Sequence, residues 1–167
     1  MVLRIGTREE EILKVALLQS EHTEAVRKAA CAIVMTEMTF RQLPHRCVEF
    51  IFAFGCLAFG RSPRYMTLGI AQISVWRLCK MQGHTEAKAT LLLMSKAKSI
   101  EACCYFLAHA RLDDKELGDP KALASVYNGK ATPFYLRRLR IYLDEVDRTV
   151  RFRNCRKTFP CKQSPIK

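Results

Sequence analysis

One carboxylate in this chain sits where its proton would be held tightly. In Ala32-Ile33-Val34-Met35-Thr36-Glu37-Met38-Thr39-Phe40, Glu37 closes an apolar helix face directly before a break. Poor solvation at such a place disfavours the charged form and raises a carboxyl pKa. A carboxylic acid still protonated near neutral pH is the group that glycosidic cleavage needs. The plain alternative is a helix-end glutamate that meets solvent. Glu49 is a second carboxylate among apolar neighbours. It reads as an alternative acid, or else as a partly buried partner of Arg46 or Arg41.

Two further segments could complete a site around such an acid. Thr67-Leu68-Gly69-Ile70-Ala71-Gln72-Ile73-Ser74 contains a glycine, which permits close backbone approach or an unusual turn. Its Gln72 offers both a donor and an acceptor. Ala122-Leu123-Ala124-Ser125-Val126-Tyr127-Asn128-Gly129 ends a helix in an aromatic hydroxyl and an amide, with glycine at the natural stop position. Taken singly, these are also ordinary turn and stop signals.

The elements that must position these residues read as almost entirely helical. Thr7-Arg8-Glu9-Glu10 is a capping-box pattern, followed by an apolar stripe of Ile12, Val15, Ala16 and Leu18. After a break near Ser20 to Thr23, the stripe resumes through Val26, Ala29, Ala30, Ile33 and Val34 toward Glu37. Pro44 opens a hydrophobic helix to about Phe59, and Gly60-Arg61-Ser62-Pro63-Arg64 is a loop. A short strand pair is expected near Arg64 to Thr67, and Thr67 to Gln72 leads into a helix ending at Lys80. A short helix follows from Gly83-His84-Thr85-Glu86 to Met94, and Ser99 is the expected cap of the next, which runs to Arg111. Asp119-Pro120 and Thr132-Pro133 each place a capping side chain before a proline at the first helical position. The final helix carries Leu136, Leu139, Tyr142, Leu143, Val146 and Val150 in register, and fades into a basic tail after Arg151.

Composition bounds the function classes. At 167 residues, with 49% hydrophobic and 26% charged residues, one globular domain is expected rather than a disordered chain. No apolar run is long enough to span a bilayer, and Met1 to Gly6 lacks the pattern of a secretory signal, so location is left open. The net charge of +12 favours a polyanionic partner, whether nucleic acid, anionic lipid or bacterial wall. Eight cysteines show no C-x-x-C pair and no finger-like spacing with histidine, so no metal is expected. Cys103 and Cys104 fall with Ile100, Leu107 and Ala108 on a buried stripe, and Cys31, Cys56 and Cys79 lie among apolar neighbours. Only Cys155 and Cys161 look placed for a bridge.

In order along the chain, Glu37-x-x-Phe40, Gly69-x-x-Gln72-Ile73 and Tyr127-Asn128-Gly129 after a helix resemble the lytic transglycosylases of the lysozyme-like superfamily. These bacterial enzymes cleave the glycan strands of peptidoglycan. Lys98 to Leu107 is similar to the family's helix before its Tyr-Asn segment, and the resemblance covers roughly Ala29 to Val146. Met38 stands where the family commonly has serine, and Gly-Ile-Ala-Gln stands for its Gly-Leu-Met-Gln. The resemblance implies a mainly α, lysozyme-like single domain over residues 1–152, of about seven helices with at most a short β-hairpin, and a basic tail over 153–167. It implies that Glu37 is a single catalytic acid, then base, at the MurNAc-GlcNAc β-1,4 bond, giving a 1,6-anhydro product without cofactor or metal. Thr67, Gly69, Gln72, Tyr127 and Asn128 would bind substrate, with Gln72 binding it directly or orienting Glu37 with help from the Gly69 backbone, Tyr127 holding the acid or stabilising the transition state, and Asn128 shaping the cleft. A non-catalytic glycan-binding module of the same scaffold is the alternative. A basic helical nucleic-acid binder is disfavoured because no recognition motif accompanies Arg137-Arg138-Leu139-Arg140.

Overall fold

A computed structural model describes residues 7–41, 43–129 and 132–158 of the chain. It is mainly helical with one small antiparallel sheet, as the periodicity predicts. Helix α1, Thr7–Leu17, buries Ile12, Leu13 and Ala16, whereas Leu18, placed on its stripe by spacing, lies beyond the helix end and is exposed. The break before α2 (Glu24–Phe40) is where expected, and the Thr23 hydroxyl accepts from the Val26 N–H. Every residue of α2 from Ala29 to Glu37 is buried, which makes it the central helix of the core. It packs against α1, α6, α7 and α9.

Helix α3 spans Leu43–Ala58. Strands β1 (Thr67–Leu68) and β2 (Ile73–Ser74) then pair with Thr67 opposite Ser74 and Leu68 opposite Ile73. The sheet therefore lies further along the chain than Arg64 to Thr67, and the stretch from Thr67 to Gln72 is a hairpin arm and turn. The reason is backbone conformation. Gly69 has φ +77° and Gln72 has φ +53°, and two left-handed residues within four cannot continue a right-handed helix.

The remaining helices are α4 (Val75–Gln82), α5 (Glu86–Met94), α6 (Lys96–His109), α7 (Asp114–Leu117), α8 (Pro120–Asn128) and α9 (Pro133–Thr158). Ser74, Thr85, Ser95, Asp113 and Asp119 cap α4 to α8 in turn, each accepting from a first-turn N–H. Ser95, not Ser99, caps α6, and Ser99 is buried one turn inside, where its hydroxyl accepts from the Ala71 N–H at 3.1 Å. On α6, Ile100, Ala102, Cys103, Cys104 and Leu107 are buried, while Ala108 is exposed. The backbone of α9 stays helical past Arg151 to Thr158. The described cysteine side chains, Cys31, Cys47, Cys56, Cys79, Cys103 and Cys104, are free thiols. The side chains of Thr7, Arg8, Cys155 and Cys161, on which the capping box and the bridge depend, lie outside the described residues.

Candidate active site

The ends of three helices meet at Glu37. The residue is 6% exposed. Oε1 accepts from the Tyr135 hydroxyl at 2.9 Å and from Asn128 Nδ2 at 3.3 Å. Each donor arrives from a capped terminus. Asn128 is the last residue of α8, which Gly129 closes at φ +71°. Tyr135 lies in the first turn of α9, where the Thr132 hydroxyl accepts its N–H at 3.2 Å. One turn beyond Glu37, the Phe40 ring stacks on the Tyr135 ring at 5.4 Å and meets Phe134 edge-on at 5.4 Å, so the spacing Glu-x-x-Phe places the acid and the support of its partner on one helix face.

Burial pushes the Glu37 pKa above the ordinary carboxyl value. The bonds from Tyr135 and Asn128, and the charges of Arg41 and Arg46, pull in the opposite direction but less strongly. Burial and the charge of Glu37 in turn push the Tyr135 phenol well up, which keeps it a donor. Because both donors converge on Oε1, the proton of the acid form belongs on Oε2. The site thus holds a carboxyl of raised pKa in a fixed orientation.

Glu49 is not placed as a second acid on Glu37. Its carboxylate forms an ion pair with Arg41 and accepts from Gln72 Nε2 at 3.0 Å. Arg41 is also one of the two cations whose charge favours ionised Glu37. Arg46 is buried and directs Nη2 to the Glu37 carbonyl at 3.5 Å.

The hairpin turn is locked rather than open. Gln72 is buried, accepts from the Thr67 hydroxyl at 3.0 Å, and donates to the Gly69 carbonyl at 3.0 Å as well as to Glu49. Among the described residues its amide contacts lie with Thr67, Gly69 and Glu49, and Glu37 is not one of its partners. Gly69 is required by close approach, since a Cβ there would lie 2.5 Å from the Leu93 carbonyl oxygen and 2.6 Å from Ser99 Oγ. Tyr127 is buried, and its hydroxyl donates to the Ala71 carbonyl instead of to the acid. Arg77 Nη1 donates to the Tyr127 carbonyl at 3.0 Å, tying the end of α8 to α4. Thr67, Gly69, Gln72 and Tyr127 therefore form a clasp between the hairpin, α3, α6 and α8, and Asn128 alone of the expected substrate residues touches the acid.

Tyr135 is the residue that sequence reading passed over. It shares the inward stripe of α9 with Leu139, Val146 and Val150, all buried. A tyrosine on an apolar stripe, immediately after a Thr-Pro cap, needs a partner for its hydroxyl. That is the signal that could have found it. Among the described residues, no group of histidine, cysteine or carboxylate side chains could hold a metal ion.

Comparison with known proteins adds no family assignment, since no protein-family model, curated protein or solved structure matches this chain.

Proposed function

We propose that the chain is a peptidoglycan-cleaving lytic transglycosylase in which Glu37 is the only acid–base group. The observation that carries this reading is the buried Glu37 carboxyl, its pKa raised by burial and its Oε1 fixed by Tyr135 and Asn128. The order of the Glu37, Gly69–Gln72 and Tyr127–Gly129 segments supports it.

In this scheme the Glu37 acid gives its proton to the glycosidic oxygen as the bond from that oxygen to the muramyl C1 breaks. The oxygen leaves as the 4-hydroxyl of the next sugar. The carboxylate then takes the proton of the muramyl C6 hydroxyl as that oxygen bonds to C1. A 1,6-anhydro ring forms, the acid is regenerated and no water is consumed. One carboxyl suffices because nucleophile and electrophile belong to the same sugar, which replaces the second carboxylate of ordinary glycosidases with proximity. Tyr135 and Asn128 stabilise the transient carboxylate, and the apolar surroundings restore the acid form. The net charge of +12 draws the protein to an anionic wall, in a salt-sensitive manner.

The test is mass spectrometry of purified peptidoglycan digested with the wild type and with Glu37→Gln. Anhydro-muropeptides from the wild type alone are expected. Reducing-end products would assign the same acid to hydrolysis. Absence of any soluble product from folded wild type across pH and salt would overturn the enzyme reading and leave glycan binding without cleavage.

A further inference from the structure

Helix α3 packs one side against β1 and α5, and among the described residues its other side is exposed. From Leu43 to Gly60 the sequence has two charged residues, Arg46 and Glu49. Both turn inward. Arg46 reaches the Glu37 carbonyl, and Glu49 pairs with Arg41 and Gln72. Ala53, on the same side, is buried. The opposite side carries Val48, Ile51, Phe52 and Gly55 at helical spacing, and Phe59 follows one residue past the helix end. Ile51, Phe52 and Phe59 are 70%, 64% and 84% exposed among the described residues. They border a groove of about 720 Å³ that ends at Arg61. Gly55 keeps its floor open, since a Cβ there would meet nothing within 4 Å.

The rim of this face is basic. Arg61 and Arg64 are exposed on the loop after α3, and the Arg64 guanidinium lies 4.9 Å from the centre of the Tyr65 ring, itself exposed. The nearby Glu86 carboxylate is engaged by the Ser62 hydroxyl at 2.7 Å. From Phe50 to Thr85 the sequence has no acidic residue at all. An unpartnered apolar stripe flanked by arginines and aromatic rings has the make-up of a helix that lies in a membrane interface. At 16 residues α3 is too short to cross the roughly 30 Å hydrocarbon core of a bilayer.

We propose that this face docks on an anionic phospholipid bilayer, with Ile51, Phe52 and Phe59 entering the acyl boundary and Arg61 and Arg64 meeting lipid phosphates. Charge complementarity selects this occupant over a second copy of the chain. A second copy would bring another body of net charge +12 and another arginine rim to the interface, whereas the bilayer supplies both apolar depth and negative charge. The inference rests on α3 and its loop and is independent of the activity proposed for Glu37.

The test is flotation of the full chain with vesicles of phosphatidylcholine plus phosphatidylglycerol, against phosphatidylcholine alone. Wild type should float with the anionic vesicles. The double variant Phe52→Ser/Phe59→Ser should lower partitioning about a hundredfold, roughly tenfold for each ring kept in water. Arg61→Gln/Arg64→Gln should lower it about thirtyfold, and more than Arg137→Gln/Arg140→Gln on α9, which controls for general charge. These side chains are exposed, so circular dichroism should be unchanged. The proposal is overturned if wild type fails to float, or if the double phenylalanine variant floats equally well. A dimer in sedimentation velocity that the same variant abolishes would overturn it too, in favour of a second copy.

Discussion

Substituting Gly69 by alanine tests the clasp that sets the end of α8 against the acid. At φ +77° an alanine pays about 1 kcal/mol for the left-handed backbone alone. The larger effect is overlap. The new Cβ would stand 2.5 Å from the Leu93 carbonyl oxygen, 2.6 Å from Ser99 Oγ and 3.2 Å from Ser99 Cβ. Leu93 is buried near the end of α5, and Ser99 is buried within α6, so neither can swing aside. The hairpin must move instead. That movement strains two buried hydrogen bonds at Ala71, its N–H to Ser99 and its carbonyl from the Tyr127 hydroxyl. Losing one of these adds about 1–3 kcal/mol, for a total of about 2–4 kcal/mol.

Gly83 supplies the control. It has φ +65° at the end of α4, and a Cβ there would meet nothing within 4 Å. Gly83→Ala should therefore cost only the backbone component, about 1 kcal/mol. Urea denaturation of both variants measures the difference directly, provided the slopes stay equal. In thermal scans Gly69→Ala should melt about 4–16 °C below wild type and Gly83→Ala about 2–4 °C below. Because the shifted hairpin carries the Tyr127 contact, Gly69→Ala should also lower the activity proposed for Glu37, while Gly83→Ala leaves it unchanged. Equal destabilisation of the two variants within about 0.5 kcal/mol would refute the close-approach argument.

Two further predictions concern the acid itself. Tyr135→Phe removes one of the donors to Glu37 Oε1; since that bond favours the carboxylate, the alkaline limb of the pH–rate profile should move up, and kcat should fall about tenfold or more with KM little changed. A uniform loss of activity with an unmoved limb would instead assign Tyr135 to packing. Glu37→Gln should stabilise the fold at neutral and alkaline pH. The folded pKa lies above the ordinary 4.5, so from there up to the raised value the native state holds a proton that the unfolded chain has released. Wild-type stability should therefore decline across that window by at most about 1.4 kcal/mol per pH unit, while the variant does not follow it. Melting curves from pH 4 to 9 decide this, and a variant less stable than wild type at high pH would contradict the burial argument.

What sequence could and could not reveal follows from the range of the interactions. The inward face of α2 was legible because Val26, Ala29, Ala30, Ile33, Val34 and Glu37 repeat at helical spacing, and all six are buried. The caps at Asp119-Pro120, Thr132-Pro133 and Gly129 were legible because each acts on neighbours within one turn. The identity of the α6 cap was less so, since Ser95 and Ser99 are one turn apart and equally able to accept a first-turn N–H. Tertiary contact separates them, since Ser99 receives the Ala71 N–H from the hairpin. The Tyr135 bond to Glu37 joins residues 98 apart, and no local pattern encodes it.

The site is built almost wholly from that second kind of information. Its local ingredients are termini, with Glu37 near the end of α2, Asn128 at the end of α8 and Tyr135 at the start of α9. Sequence marks where each helix stops, since stopping is a property of a few adjacent residues. Which termini converge depends on how α2 is enclosed, and a helix buried continuously from Ala29 to Glu37 has no solvated side toward which its last carboxyl could turn. The acid is thus a consequence of the packing that makes α2 central. Relieving it by exposing that terminus, rather than by altering Glu37, should lower its pKa toward the ordinary value and weaken it as a proton donor at neutral pH. Phe40, whose ring stacks on Tyr135, and Phe134, which meets Phe40 edge-on, are the side chains through which that exposure would occur.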